Sequence, residues 1–280
     1  MAALECCDLN WLEDTALPPQ LPSLAQLQRA PGCQRLAARN QILLSLVAHR
    51  AFAFDLDNQG LVVRVVANFQ GGGAVARPEE VIGEPVGRSS HAGIALGPHT
   101  ESPYHCAVNA SAGQSPAPSS LALSALWNPA AEPTRVIPLA GILDSLPATD
   151  LLALTAPAFD YTRSDCFTAG KGANGYGVSL LQFDPNGGFA FRYNSYRHTA
   201  SAHAPAVVRS ALARLQSAIA STEPLMCTLR QDRALLINNY RALHCREVVR
   251  DNRRVLVRLF GYSRFARPVV VQHDPLIVKG

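Results

Sequence analysis

The sequence predicts a mainly β fold with flanking helices, built on a double-stranded β-helix (jelly-roll) core. Short apolar stretches of strand length recur through most of its 280 residues. Only two or three segments carry helical periodicity. Strands and helices do not alternate regularly, which disfavours a doubly wound parallel sheet. Many short strands with a few outer helices suit a jelly-roll sandwich. One domain of 280 residues accommodates this architecture.

In chain order, residues 1–30 are rich in Leu and Pro and read as a surface wrap. From Cys33 to His49, Leu36, Ile42, Leu43, Leu46 and Val47 fall at helical spacing and predict an amphipathic helix. Ala51–Asp57 and Leu61–Phe69 read as a strand pair joined by the turn signal Asn58-Gln59-Gly60. A Gly triplet and several prolines follow, so residues 68–90 read as a lid-like loop. Gly113–Ser120 is a second loop. Leu121–Asn128 and Arg135–Leu139 are strand-like, and residues 141–155 look helical with Pro147 interrupting. Residues 157–176 are polar, Gly-rich and irregular, a second lid-like stretch. Gly177–Phe183 and Phe189–Asn194 flank Asp184-Pro185-Asn186-Gly187-Gly188 as a hairpin. Residues 204–221 form a helix, and Ala234–Asn239 and Val255–Tyr262 are strands.

The chain is 48% hydrophobic and 16% charged, which predicts a sizeable core and excludes global disorder. A formal charge of +4 without a long basic block argues against nucleic acid as a partner. Seven scattered cysteines without a CxxC pair argue against a disulfide framework or zinc knuckle and suit a cytoplasmic protein. The first residues carry acids and no basic region before an apolar run, so no signal peptide is expected. No apolar run reaches membrane-spanning length.

The segment Gly97–His105, GPHTESPYH, carries the chemistry. On a strand, His99 and Glu101 project from one face, so an imidazole and a carboxylate converge. An HxE pair also arises by chance, and two such side chains are often only hydrogen-bonded to each other. His244, in INNYRALHCR, is the candidate third ligand. Two histidines and one carboxylate on one face of an octahedron form the ligand set of non-haem iron(II) oxygenases. Downstream, Arg254 and Arg258 share a face of one strand, with Val255 and Val257 on the other. Either the arginines are solvated on an edge strand, or they point inward and need anionic partners. A dicarboxylate and an acidic group of a substrate would serve, with bidentate geometry.

HTExxYH, a threonine after a short strand, a distal NxxxxxHxR and then RRxxxR together resemble the TauD/TfdA-like superfamily, most closely its clavaminate synthase-like branch. The resemblance spans roughly residues 85–265 and is specific in HTESPYH and in NNYRALHCR to RRVLVR. It implies an Fe(II)- and 2-oxoglutarate-dependent oxygenase consuming O2, with His99, Glu101 and His244 as iron ligands. Arg254 and Thr134 would bind the distal carboxylate of 2-oxoglutarate, and Arg258 an acidic group of the substrate. Tyr104 matches family context that shapes the pocket wall, and Asp160, Asp184, Arg192 and Tyr193 lie where related enzymes contact substrate, one or two of them being expected to do so here. Related halogenases vacate the position that Glu101 fills, so hydroxylation of an unactivated C–H bond is implied, with desaturation or ring closure as variants. The expected substrate is a free amino acid or similar small polar metabolite. Two departures stand out: the Glu101–Thr134 gap is long, and the His244–Arg254 gap is short for that branch.

Two other functions stay open at this level. A non-enzymatic metal-binding or sensory jelly roll would keep the three ligands without needing both Arg254 and Thr134. A cysteine hydrolase would use Cys106 or Cys245 with a histidine. His49, His91, His198, His203 and His273 have no motif context and read as solvated or hydrogen-bonding histidines.

Overall fold

The structure is a computed structural model; it describes residues 1–9, 15–68, 95–101, 113–162, 175–184, 188–271 and 274–280. Most of both lid-like stretches, together with Tyr104, His105, Cys106, His91 and His273, lies outside the described residues.

Two sheets hold the site. The larger runs β1 (Ala3–Cys6), β13 (Ala234–Asn238), β5 (Ser120–Trp127), β15 (Val255–Ser263), β2 (His49–Phe54), β16 (Ile277–Val278), and β3 (Arg64–Ala67) also pairs with β15. The smaller runs β12 (Leu225–Cys227), β6 (Thr134–Pro138), β14 (Ala242–Arg246), β4 (Leu96–His99). A three-stranded sheet of β11 (His198–Ala200), β7 (Phe159–Tyr161) and β8 (Gly175–Val178) and a hairpin of β9 (Leu181–Asp184) and β10 (Gly188–Phe191) complete the β structure. The fold is thus mainly β with helices, as the sequence predicts.

Side-chain alternation sorts the core into layers. Along β15, Val255, Val257 and Leu259 pack with Leu36 and Leu44 of α2 (Pro31–Leu46), while Leu256, Phe260 and Tyr262 face the other way. That second face joins Leu121 and Leu123 of β5, Ile237 of β13, and Val136 and Ala242 of the smaller sheet in the core between the sheets. Ile137 and Leu243 of the smaller sheet instead meet a helical layer of α3 (Leu139–Ser145), α4 (Ala148–Thr155) and α5 (Ala206–Ser221). Among the described residues no helix is long and apolar enough to cross a membrane.

Four expectations are corrected. Residues 1–30 do more than wrap the surface: β1 adds to the larger sheet beside β13, and α1 (Leu24–Arg29) starts at a Ser23–Gln26 capping box. The buried stripe of α2 is Cys33, Leu36, Ala37, Asn40 and Leu44, whereas Ile42, Leu46 and Val47 are exposed. Several apolar residues at helical spacing therefore mark two faces, of which only one meets a sheet. The stretch 157–176, read as irregular, opens on β7 and ends in β8, and residues 177–183 divide between β8 and β9.

The fourth correction shapes the site. β2 and β3 are not a hairpin. Both run antiparallel to β15 along the same edge, β2 against Phe260–Ser263 and β3 against Val255–Arg258. Asn58–Gly60 form a 3-10 turn rather than a reversal. Asn58 sits at φ 52 and its side-chain amide donates to the carbonyls of Leu61 and Val63. The chain is offset without turning back, which leaves Asp57 beside the Arg258 end of β3's partner strand.

Candidate metal centre

β14 pairs with β4 so that His244 lies directly opposite His99. The two rings stand 4.2 Å apart between centroids. Alternation explains why His244 reaches the intersheet space: Ala242 belongs to the core between the sheets, and Leu243 to the helical side. A slip of one residue in β14 would turn the imidazole into the helical layer.

Glu101 follows β4, and its position is fixed through its backbone. Asn239 accepts from the Glu101 N–H at 2.8 Å and donates to the Glu101 carbonyl at 3.1 Å and to that of Pro118 at 2.8 Å. Thr100 is held likewise: its N–H donates to the Tyr193 carbonyl at 2.8 Å, and its hydroxyl accepts from the Tyr193 N–H at 3.1 Å. The middle residue of His-Thr-Glu thus anchors the backbone between the two candidate ligands.

One donor atom from each of His99, Glu101 and His244 lies within 4.8 Å of the others, a group that could hold a metal ion. Ligands in cis positions of an octahedral ion are about 3 Å apart, so small rotations close the set. His99 Nδ1 is bonded to the Gly97 carbonyl at 2.8 Å, which leaves Nε2 for the ion. His244 turns Nε2 toward Glu101 Oε1 at 3.7 Å, and its buried Nδ1 has no hydrogen-bond partner among the described residues. Burial, reinforced by His244, pushes His99 down to about 4, so it is a neutral donor at pH 7. Burial opposes ionisation of Glu101, yet Arg258, then His244 and His99, hold its carboxyl well below the usual range. Neutral imidazoles and an ionised carboxylate are the forms that bind a cation.

Both arginines point inward, Arg258 on the central strand β15 and Arg254 in the residue just before it, rather than lying solvated at an edge. Arg254 is 4% exposed and Arg258 6%. Arg258 Nη1 donates to Glu101 Oε1 at 2.5 Å and Nη2 to Asp57 Oδ2 at 3.2 Å. Arg254 Nη2 donates to Thr134 Oγ1 at 3.5 Å, and its Nε lies 3.8 Å from Glu132 with no hydrogen-bond partner among the described residues. Burial, partly offset by Glu132, lowers Arg254 to about 10; burial, then Arg254, lowers Arg246 to about 9. Arg254 and Arg246 both stay cationic at pH 7. The inward pair Arg254 and Arg258 has anionic neighbours supplied by the protein itself, in Glu132, Asp57 and Glu101.

The remaining site residues fall elsewhere. Asp160 accepts from Gly177 N–H at 3.1 Å and from Ser201 at 2.6 Å. Arg192 is buried and donates Nε to the Ser179 carbonyl at 2.6 Å. Asp184 ends β9, with its side chain outside the described residues, as is Tyr104. Cys245 packs toward the helical core, and burial pushes its thiol up to about 11, so it is no thiolate nucleophile at neutral pH. Sequence reading missed Asn239, Asp57 and Glu132. Asn239 sits in a polar Asn-Asn pair between two strands, a faint signal; neither acid has a local one.

Acid sensitivity follows from the buried imidazoles. His198, 2% exposed, accepts at Nδ1 from the Asn194 N–H, and burial, then Arg192, lowers it to about 3. The unfolded chain titrates histidine near 6.5, so below that pH it binds a proton the folded state refuses, and stability falls as pH drops toward 3. One such group costs up to about 1.4 kcal/mol per pH unit; His99 acts in the same direction. The melting temperature of metal-free protein is expected to fall steadily from pH 6.5 to 4. Scanning calorimetry of His198→Gln should show a shallower fall, and an unchanged slope would refute the assignment.

Comparison of the sequence with family models finds no match, and comparison with curated proteins finds none either. Solved structures do match. The non-haem iron oxygenase OrfP, in complex with Fe, succinate and (3S)-hydroxy-L-Arg, aligns over 93% of this chain and 74% of its own, with TM-score 0.64 and 20% identity. Asparagine oxygenase, in complex with Fe(II), 2S,3S-3-hydroxyasparagine and succinate, aligns over 100% and 80%, with TM-score 0.67 and 19% identity. OrfP with Fe and alpha-ketoglutaric acid aligns over 79% and 63%, with TM-score 0.54. The chain has the fold of these oxygenases.

Proposed function

We propose that this protein is an Fe(II)- and 2-oxoglutarate-dependent oxygenase of the clavaminate synthase-like type, acting in the cytoplasm on a free amino acid or similar small polar metabolite. On this reading the two main sheets are the halves of a double-stranded β-helix. The observation that carries it is the convergence of His99, Glu101 and His244 between sheets that also deliver Arg254 and Arg258. The fold is that of oxygenases solved with iron, succinate and hydroxylated amino acids, which supports an amino acid as the substrate class.

The donor set fits the group it would hold: two imidazole nitrogens and one carboxylate, with positions left open for co-substrate and oxygen. When bound, iron with 2-oxoglutarate supplies the oxidising power for hydroxylating an unactivated C–H bond. The chain's own residues supply placement. Gly97 fixes the ring of His99, Asn239 fixes Glu101, and the β4–β14 register fixes His244. Arg254 with Thr134 would hold the distal carboxylate of 2-oxoglutarate; the buried Nε of Arg254, which among the described residues has the Glu132 carboxylate at 3.8 Å but no hydrogen bond, fits an anionic ligand. Arg258 would hold an acidic group of the substrate. The apolar intersheet wall of Leu256, Phe260 and Val136 limits water around these charges.

The test is succinate formation by anaerobically purified, Fe(II)-loaded protein once oxygen is admitted, across a panel of free amino acids. Turnover stimulated by one amino acid and lost in His99→Ala and Arg254→Ala is expected. Iron binding without turnover across the panel would favour a binding protein. Absence of iron binding would sink the ligand assignment.

A further inference from the structure

Arg64 and Arg258 are register partners on neighbouring antiparallel strands. Like charges directly opposite each other on a sheet repel. One buried acid resolves the conflict: Asp57, 7% exposed, accepts from Arg64 at Oδ1 and from Arg258 at Oδ2, the latter at 3.2 Å. Arg258 is held on three sides, with Asp57 on one, Glu101 on another, and the ring of Phe260 4.0 Å beneath the guanidinium carbon. The chain Arg64–Asp57–Arg258–Glu101–His244 therefore ties the β2–β3 offset to the metal cluster.

The carboxylate that would bind the ion is thus held at the same time by a cation. Glu101 Oε1 takes the 2.5 Å bond from Arg258 and also lies 3.7 Å from His244 Nε2. An ion entering between the histidines competes with Arg258 for that oxygen. Asp57 sets the terms of the competition, because it offers the guanidinium a second anion when Glu101 turns away.

We propose that Asp57 is a positioning residue: it anchors Arg258 beside the metal cluster, lets Glu101 be released to the metal, and keeps the guanidinium in place for an anionic substrate group once Glu101 has gone. The proposal rests on the reading of His99, Glu101 and His244 as metal ligands. Without the Asp57 charge, the whole charge of Arg258 falls on Glu101, and metal binding must break a stronger pair. Partners outside the ligand set typically shift metal affinity about 10–100-fold.

The experiment is calorimetric titration of metal-free protein with Co(II), which needs no turnover. Asp57→Asn is expected to weaken Co(II) binding about tenfold. Arg258→Gln is expected to tighten it, and Asp57→Asn added to Arg258→Gln should then have no further effect, since Asp57 acts through Arg258. A loss from Asp57→Asn of equal size in both backgrounds would overturn the proposal while leaving the metal site intact. Failure of the unaltered protein to bind Co(II) would overturn the metal reading and this proposal together. A crystal structure of the unaltered protein with Co(II) decides the matter without substitutions. The Arg258–Asp57 bond should persist while the Arg258–Glu101 bond is broken; an Arg258 that leaves Asp57 overturns the proposal.

Discussion

Replacing His244 by alanine is expected to lower metal affinity about 10³-fold and to remove succinate formation altogether. The ring is one of only two nitrogen donors in the cluster, and no other histidine among the described residues joins it. The fold should survive. Among the described residues His244 makes no hydrogen bond through Nδ1, and its truncation leaves β14 paired on both sides by β4 and β6. Metal titration together with a melting curve separates the two effects. Loss of binding with a melting temperature close to that of the metal-free parent is the expected result. Retained binding would mean that His244 is a structural histidine and that the ion, if any, sits elsewhere.

Removal of Arg254 should raise the KM for 2-oxoglutarate about 10²-fold or more, the scale for truncating one partner of a buried, hydrogen-bonded charge pair. Arg254 and Thr134 face each other across the intersheet space. Glu132 complicates this pocket: its carboxylate lies 3.8 Å from Arg254 Nε, so an incoming dicarboxylate must share the guanidinium with a resident acid. Glu132→Gln keeps the shape and removes the competing charge, so it should lower that KM several-fold while Arg254→Ala raises it. Opposite signs from two adjacent substitutions would be hard to obtain from general destabilisation. If both variants raise KM alike, Glu132 holds Arg254 in position instead, and the pocket assignment needs revision.

The legibility of this protein was uneven for physical reasons. Strands β5, β6, β13 and β15 and helix α5 were visible because each carries a periodic apolar pattern with clear breaks at its ends. Strands β4 and β14, which hold the two histidines, carry no such pattern. In β4, Gly97 and Pro98 are poor strand formers, and His99, His244 and Arg246 put polar side chains where strands are normally apolar, because they line a site rather than a core. The spurious hairpin at Asn58-Gln59-Gly60 came from a turn signal that is local, whereas the direction taken after a turn is decided by which edge is free to pair.

The sequence by itself determined the mainly β class, the order of His99, Glu101 and His244, and the four-residue spacing that turns Arg254 and Arg258 inward together, although Arg254 falls one residue before β15. These follow from alternation and spacing, which act over a few residues. Only the tertiary structure decided who the partners are. Asn239 reaches Glu101 across 138 positions, and Asp57 reaches Arg258 across 201. Glu132 meets Arg254 from a separate segment. A buried charge must find an opposite charge in space, not in sequence, so the need for anionic partners was readable from the spacing of Arg254 and Arg258 at a core strand, and their identity was not.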